Sequence, residues 1–433
     1  MTVFAAALGW LVVVEIVGLL AAPLAYRLFA PLADRGYAFA KPLGLVVAAY
    51  GLWLASSFGL IGNTTAGAVL ALVGLAALSG WLIWSRRDEA LAYFRNSIRR
   101  VLFIEAVGVV TFAVGVLYRS YDPEISHTEQ PMELTFLNGI LASERLPPQD
   151  PWMSGHSISY YYFGYFIVAQ LVRLAGVPAA VGFNLALATI FALTVTGAFG
   201  LGYNLVASGH CSRTPDDEHT QREVEDPEDT APAHEEVILS SRRPAIPLSR
   251  RPTQSSRPAL VAGGLSAVLL AICANLEAVF EVMRRHGLVE PAFWRWLDVD
   301  GLQRPIPGFS GWQLLNPTTW LPTDPPDTWW WFRATRVIGT YVSEGAERRA
   351  IDYTITEFPF FSFILGDLHP HVLALPFGLL VVALALSCLL WAERFDLAWL
   401  RRDWPLALVA VVCVGALGFL NSWDLPTYAF VFA

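Results

Sequence analysis

Eight times along this chain an apolar run continues long enough to cross the roughly 30 Å hydrocarbon core of a bilayer. That repetition decides the fold class before any motif is read. The runs fall at residues 3–25, 43–61, 66–84, 101–118, 180–207, 259–280, 371–391 and 405–420, and a shorter one lies at 158–175. Lipid offers no water to backbone N–H and C=O groups, so runs of this kind must satisfy those groups internally, as helices. Hydrophobic residues make up 55% of the chain and charged residues 15%, a balance that sets it apart from a globular domain with a large core. The expected fold is an all-α polytopic integral membrane protein, with about eight transmembrane helices plus an interfacial juxtamembrane helix.

The first run starts at the initiator Met without a basic lead or a small-residue cleavage site, which predicts a retained helix rather than a signal peptide. The chain stops inside a renewed apolar run at 428–433, as a piece of a longer protein would. Cys273, Cys388 and Cys413 sit in apolar runs and Cys211 stands alone in a loop, so neither a disulfide framework nor a CxxC metal site is expected. Residues 208–257, rich in Pro, Ser, Arg, Asp and Glu, read as a disordered insertion. It divides the chain into a three-helix segment at 1–100, a segment at 101–207 holding one helix, an acidic loop and the juxtamembrane helix, and a C-terminal membrane segment at 258–433 with a large outer loop.

Orientation follows from the basic residues of the short loops. Arg27, Arg35 and Lys41 precede the second run, and Arg86, Arg87, Arg95, Arg99 and Arg100 follow the third; both loops are placed in the cytoplasm. If the run at 158–175 lies in the interface or re-enters, the insertion and the loop with Arg394, Arg401 and Arg402 fall inside as well. If it crosses, both violate the rule. A non-crossing helix at the plasma membrane's outer side is therefore expected, its Tyr160, Tyr161, Tyr162 and Tyr165 placed where headgroup-level aromatics concentrate.

With that topology three polar stretches share the outer face. The first is residues 120–165, with Asp122, Glu124, Glu129, Glu133, Asp150 and His156 between two apolar segments. The second is EFPFFSFILGDLHPH at 357–371, carrying Asp367, His369 and His371, and the third is NSWD, ending at Asp424. Acids beside membrane spans without matching bases point to a binding or catalytic surface, with a solvated loop as the alternative. Glu129 and Glu133 share a helix face at i, i+4, where like charges cost stability unless a cation or a function holds them. Asp367, His369 and His371 suit a metal such as Zn, Mn or Fe; Pro370 breaks a regular helix there, and an N-cap at Asp367 with interfacial histidines is the equal alternative. Trp329, Trp330 and Trp331 with Arg333 and Arg336 suit a sugar and its phosphate, or a tryptophan belt with arginines on lipid headgroups. Glu15 and Glu105 lie inside apolar runs; Glu15 is expected to pack or snorkel, and Glu105 is undecided. Asn63 heads a glycosylation sequon in a very short loop. The acidic charge is concentrated in hydrophilic loops, notably 216–236, and argues against nucleic acid as a partner. No P-loop, GxSxG or dinucleotide fingerprint is present.

The stretches EQPMELTFLNGIL, PPQDPW, SYYYFGY, EFPFFSFILGDLHPHVLALPF and NSWDLPTY together resemble the uncharacterised membrane-protein family of archaea and Chloroflexi named for its YYY motif. The resemblance covers most of the chain from about Arg119 onward. That family is similar in layout to the GT-C glycosyltransferases: a helix running outward, a first large outer loop with an early acid, then juxtamembrane helices. The resemblance implies a GT-C-like fold and transfer of a sugar from a polyprenyl-phosphate donor, with Asp122 or Glu124 as the early acid. Three extra helices precede the match, and no Asp-Glu pair stands at the expected place. In that reading Asp122, Glu124, Glu129 and Glu133 are the catalytic candidates, with Asp122 or Glu129 as base. Asp150, His156, Tyr160, Tyr161, Tyr162, Arg333, Arg336, Asp367, His369, His371 and Asp424 are the substrate-binding candidates. The one cofactor candidate is a divalent cation, Mn or Mg, and the partners are the lipid bilayer and the polyprenyl-phosphate sugar. A transporter or channel with an outward acidic and histidine site is the competing reading.

Overall fold

The computed structural model describes residues 2–209, 257–273, 334–344, 347–391 and 397–432, together with scattered positions between 275 and 299. The chain opens with α1 (Val3–Leu28), capped by Thr2, whose hydroxyl accepts the Ala5 N–H. One stripe of α1, including Ala6, Trp10, Val14, Val17, Ala21 and Leu24, is buried, while Phe4, Leu8, Val12, Ile16 and Leu19 on the other face stay exposed. A helix apolar on both faces, with only one face packed on protein, presents the other to lipid. The same logic applies to α2 (Ala40–Ser57), α3 (Thr65–Ile83) and α5 (Ile98–Tyr121), joined by the short polar α4 (Arg87–Asn96).

Next come α6 (Gln130–Ala142), α7 (Phe163–Ala175) and the long α8 (Ala179–Gly209), the most buried of the spans. Against α8 packs α9 (Arg257–Val268), extended by a π turn over Leu269–Cys273. The approach is close because small residues line it: a Cβ on Gly202 would strike Ser266, and one on Gly263 would strike Phe199. After a short α10 (Pro291–Leu297), a hairpin of β1 (Ile338–Glu344) and β2 (Glu347–Thr354) pairs antiparallel from Ile338↔Thr354 to Glu344↔Glu347. The chain then runs through α11 (Pro359–Leu365), α12 (Pro370–Leu389), α13 (Leu397–Leu420) and α14 (Asp424–Phe432).

The architecture is that of an all-α polytopic membrane protein, with the hairpin as an addition that the sequence reading did not foresee. Among the described residues seven helices are long and apolar enough to cross a membrane: α1, a stretch from Tyr37 through α2, a stretch over α3 and α4, α5, α8, α12 and α13. The eighth run, expected at 259–280, forms a shorter apolar helix over Arg257–Cys273 and is not among the seven. It still travels the bundle, starting beside the end of α8 and reaching α11 at the other pole.

Hydrogen bonds and ion pairs define two poles. At the basic pole Arg27 meets Asp403 at 3.6 Å, Ser387 donates to the Leu28 carbonyl, and Asp34 accepts from Asn204 Nδ2 at 2.9 Å. Asp34 is fully buried and also accepts the N–H groups of Gly36 and Ala38, which fixes the turn between α1 and α2. Gly36 sits there at φ 73°, and a Cβ on it would overlap the Phe29 ring. The loops before α2, after α8 and before α13 therefore share one pole, which requires that α7 does not cross. Buried from Phe163 through Val172 on essentially all sides, α7 packs inside the bundle. Within the spans Lys41 Nζ joins Glu15 at 3.1 Å and Glu105 at 2.5 Å, and Tyr37 donates to Glu105 at 2.7 Å. Both intramembrane acids are thus packed and paired. Asn63 is buried, donating to the carbonyls of Ile140 and Ser143, and is no glycan acceptor.

Candidate functional site: an acid and histidine cluster at one pole

The opposite pole gathers the three polar stretches that lie far apart in sequence. The start of α6 supplies Glu129 and Glu133, one turn apart. A loop that Gly366 closes at φ 78° carries Asp367 and brings His369 to the N-cap position of α12. Pro370 then opens α12 at a position whose missing N–H costs nothing. A Cβ on Gly366 would meet the Arg119 guanidinium, so this loop needs glycine for space as well as for backbone angle.

His369 is the hub. Its Nε2 lies 2.8 Å from Glu129 Oε2, while its Nδ1 lies 3.4 Å from Glu133 Oε1 and 3.6 Å from Asp367 Oδ2. The two carboxyl groups at i, i+4 on α6 thus share one imidazole between them. Glu133 is completely buried and its other oxygen accepts the Leu368 N–H at 2.7 Å. Burial first, then the neighbouring Asp367, pushes its carboxyl up to about 9, so it is neutral at pH 7. Burial also raises Asp367 to about 6, against the Thr128 hydroxyl that donates to it at 2.6 Å and the nearby His369. Glu133 Oε1, Asp367 Oδ1 and His369 Nδ1 are buried without a hydrogen bond. Orphaned polar atoms of this kind are rare in native interiors and accumulate where a protein holds chemistry.

A second dyad adjoins the first. His371 Nε2 lies 3.0 Å from Glu357, which also accepts from Ser362 at 2.9 Å, and the two imidazole rings are 5.3 Å apart. The bond from His371 holds the Glu357 carboxyl below its usual value, against the opposing effect of burial. Asp424 at the head of α14 is raised by burial, with His371 near enough to oppose the shift. Tyr160 stacks on Phe136 at 5.4 Å with Tyr161 against it, and Trp152 packs on the same Phe136. These rings form an aromatic wall on α6 beside the acids.

Other expectations land elsewhere. Asp122 pairs with His127 at 3.1 Å outside the cluster, and Glu124 is exposed, offering its backbone carbonyl to Arg119. Asp150 accepts the N–H groups of Trp152 and Met153 in a turn, and His156 closes the same turn through its backbone. Tyr162 accepts a bond from Trp53 at 3.0 Å beneath the surface. Arg333 and the three tryptophans before it lie outside the described residues; Arg336 bonds its neighbour Thr335. Asp367 is not the cap of α12, because that position belongs to His369 and the Asp367 carboxylate turns instead to Thr128. Among the described residues no three His, Cys, Asp or Glu side chains form a group that could hold a metal ion, and His371 is turned to Glu357 rather than to Asp367. Sequence reasoning missed Thr128, Gln130, Glu357 and the buried Arg119. Gln130 donates to the carbonyls of Leu365 and Gly366, while Arg119 donates to Asn184 at 2.8 Å. Gln130 and Glu357 stand inside the two most distinctive motifs, and the polar excess of those motifs was the available signal.

A family model described as uncharacterized membrane protein (DUF2298) matches residues 47–433. The chain belongs to this family. The match takes in every residue of the cluster and all three polar stretches, so the family's shared segment is the one that builds the pole. No curated protein and no solved structure matches the chain.

Proposed function

We propose that this chain is a glycosyltransferase of GT-C-like layout, moving a sugar from a polyprenyl-phosphate donor to an acceptor hydroxyl at the outer face of the plasma membrane. The observation that carries the reading is the order Glu133, His369, Glu129: a buried neutral carboxyl, an imidazole and a half-exposed carboxylate. The short contact of His369 is the one from Nε2 to Glu129 at 2.8 Å, where an N–H on Nε2 donates to that carboxylate. Glu129 is then the general base. It takes the proton of the acceptor hydroxyl, the oxygen bonds to the anomeric carbon, and the bond from that carbon to the phosphate oxygen breaks, the electron pair leaving with the polyprenyl phosphate. The aromatic wall of Tyr160, Tyr161 and Trp152 offers flat faces for a sugar ring. Arg336, on a segment that Thr356 ties beside Glu357 through Thr335, is the described candidate for the leaving phosphate. Asp122, the alternative base, is occupied by His127 and stands apart.

The Lys41, Glu15 and Glu105 triad inside the spans favours a second reading, a transporter, since intramembrane charges often mark a pathway. Purified chain reconstituted in liposomes with a radiolabelled polyprenyl-phosphate hexose and a panel of acceptors separates the two. Glu129→Gln is expected to fold and to lose transfer by about 10²–10⁴-fold. Transfer at the wild-type rate in Glu129→Gln, or a wild type that moves solute without transferring sugar, would overturn the proposal.

A further inference from the structure

Two imidazoles stand at the acid pole, and the transfer step drawn above uses only one of them. His369 has carboxyl groups beside both of its nitrogens, and its side chain is 15% exposed. His371 is 42% exposed and commits only Nε2, at 3.0 Å from Glu357. Among the described residues its Nδ1 makes no hydrogen bond. Glu357 is the more enclosed partner, 18% exposed, and the Ser362 hydroxyl donates to the same carboxylate at 2.9 Å. The order is therefore an enclosed carboxylate, an imidazole and an open ring nitrogen. A carboxylate behind an imidazole fixes the ring's orientation and stabilises the imidazolium, which is the arrangement in which histidine passes protons.

The surroundings decide which way that proton moves. Among the described residues, the titratable groups that face His371 are acids or the other imidazole. They are Glu357 ahead of α11, Asp424 on α14 with Tyr428 beside it, and His369, beyond which stand Glu129, Glu133 and Asp367. Arg119, the buried guanidinium of this pole, is turned to Asn184 and to the Glu124 carbonyl. Arg336, assigned above to the phosphate, lies on the segment that Thr356 ties beside Glu357, so a phosphate held there departs next to His371. A donor phosphodiester carries one negative charge and gains a second when the sugar leaves it. Close to Glu357 and Asp424 that second charge is repelled. A proton delivered to the departing oxygen removes it.

On the basis of the transfer reading, we infer that His371 is a second catalytic residue, the general acid that protonates the leaving phosphate. Glu129 takes the acceptor proton, the acceptor oxygen bonds to the anomeric carbon, and the electron pair of the broken carbon–oxygen bond stays on the phosphate. The Nδ1 proton of the His371 imidazolium goes to that phosphate oxygen, while the Nε2 proton stays on its bond to Glu357. The polyprenyl phosphate departs with one negative charge, as the donor's phosphodiester had. Glu129 loses a negative charge as His371 loses a positive one, so the protein's own charge is unchanged across the step. Solvent then returns a proton to the ring and takes the one on Glu129.

Transfer from the radiolabelled polyprenyl-phosphate hexose, followed against pH in the same liposomes, tests the inference. The wild-type kcat is expected to fall on the alkaline side as the ring loses its proton. His371→Gln is expected to lower kcat about 10²-fold with KM little changed, and to abolish that alkaline fall. Glu357→Gln, which keeps the ring but removes the carboxylate behind it, is expected to move the fall to lower pH. Added imidazole is expected to restore part of the rate to His371→Ala and none to Glu129→Gln. An alkaline fall that survives in His371→Gln, or a His371→Ala that binds donor as the wild type does and ignores imidazole, would overturn the assignment while leaving the transfer reading in place. Binding of polyprenyl phosphate alone separates the two the other way. A wild type that moves no sugar, yet binds this product more tightly at low pH by a margin that His371→Gln lacks, keeps the proton on His371 for the phosphate and removes the transfer reading; a margin shared by both proteins removes the inference.

Discussion

Glu133→Gln isolates the thermodynamic consequence of burying a carboxyl beside Asp367 and His369. Glutamine keeps the shape, still accepts the Leu368 N–H and cannot ionise. Folding raises the Glu133 value from 4.5 to about 9, so between those two pH values the unfolded chain gives up a proton that the folded chain keeps. Folded-state stability is then fully present below pH 4.5 and falls as pH rises toward 9. Each pH unit in that window costs about 1.4 kcal/mol, so from pH 5 to pH 8 the wild type loses about 4 kcal/mol that Glu133→Gln does not lose. The two proteins are expected to agree within about 1 kcal/mol at pH 5 and to diverge steadily above it, with the variant the more stable. Thermal melting in detergent at half-unit pH steps, read as the difference between the two proteins, cancels the titration of groups remote from Glu133. A difference that stays flat between pH 5 and pH 8, or a wild type that gains on the variant as pH rises, would refute the buried neutral carboxyl.

Three further outcomes are expected. Thr128→Val removes the hydroxyl that donates to buried Asp367 and is expected to lower stability by about 1.5–3 kcal/mol at pH 8, where that carboxylate is charged, and by less at pH 5; chemical denaturation at the two values checks it. Lys41→Met leaves Glu15 and Glu105 without their cation and is expected to cost about 3–5 kcal/mol, most of which the triple change with Glu15→Gln and Glu105→Gln recovers in melting temperature. In a cysteine-free background, Ser126→Cys at the acid pole is expected to react with an impermeant thiol reagent in intact cells and Ser85→Cys at the basic pole is not; the reverse pattern would invert the orientation drawn from the basic loops.

The sequence by itself determined that this is a polytopic helical membrane protein, because the length and apolarity of a span are local properties that the bilayer reads one segment at a time. Through the count of basic residues it also pointed to a run at 158–175 that does not cross. The contact of Arg27 with Asp403 agrees with that parity. What it left open were contacts across hundreds of positions. No periodicity says that His369 will fall between Glu129 and Glu133, since the spacing on α6 explains only that the two acids share a face, and the imidazole between them arrives from 236 positions beyond Glu133. The grouping of His371 with Asp367 and His369 failed for the same reason. Alternation along the chain suggested one ligand set, whereas Pro370 starts α12 there and sends the two rings to different carboxylates. The neutral state of Glu133 was equally invisible, because a carboxyl changes its proton affinity only when the surrounding bundle removes water, and α6 alone would leave that side chain wet. Burial depends on neighbours, and neighbours are set by the packing of helices that the sequence lists but does not pair.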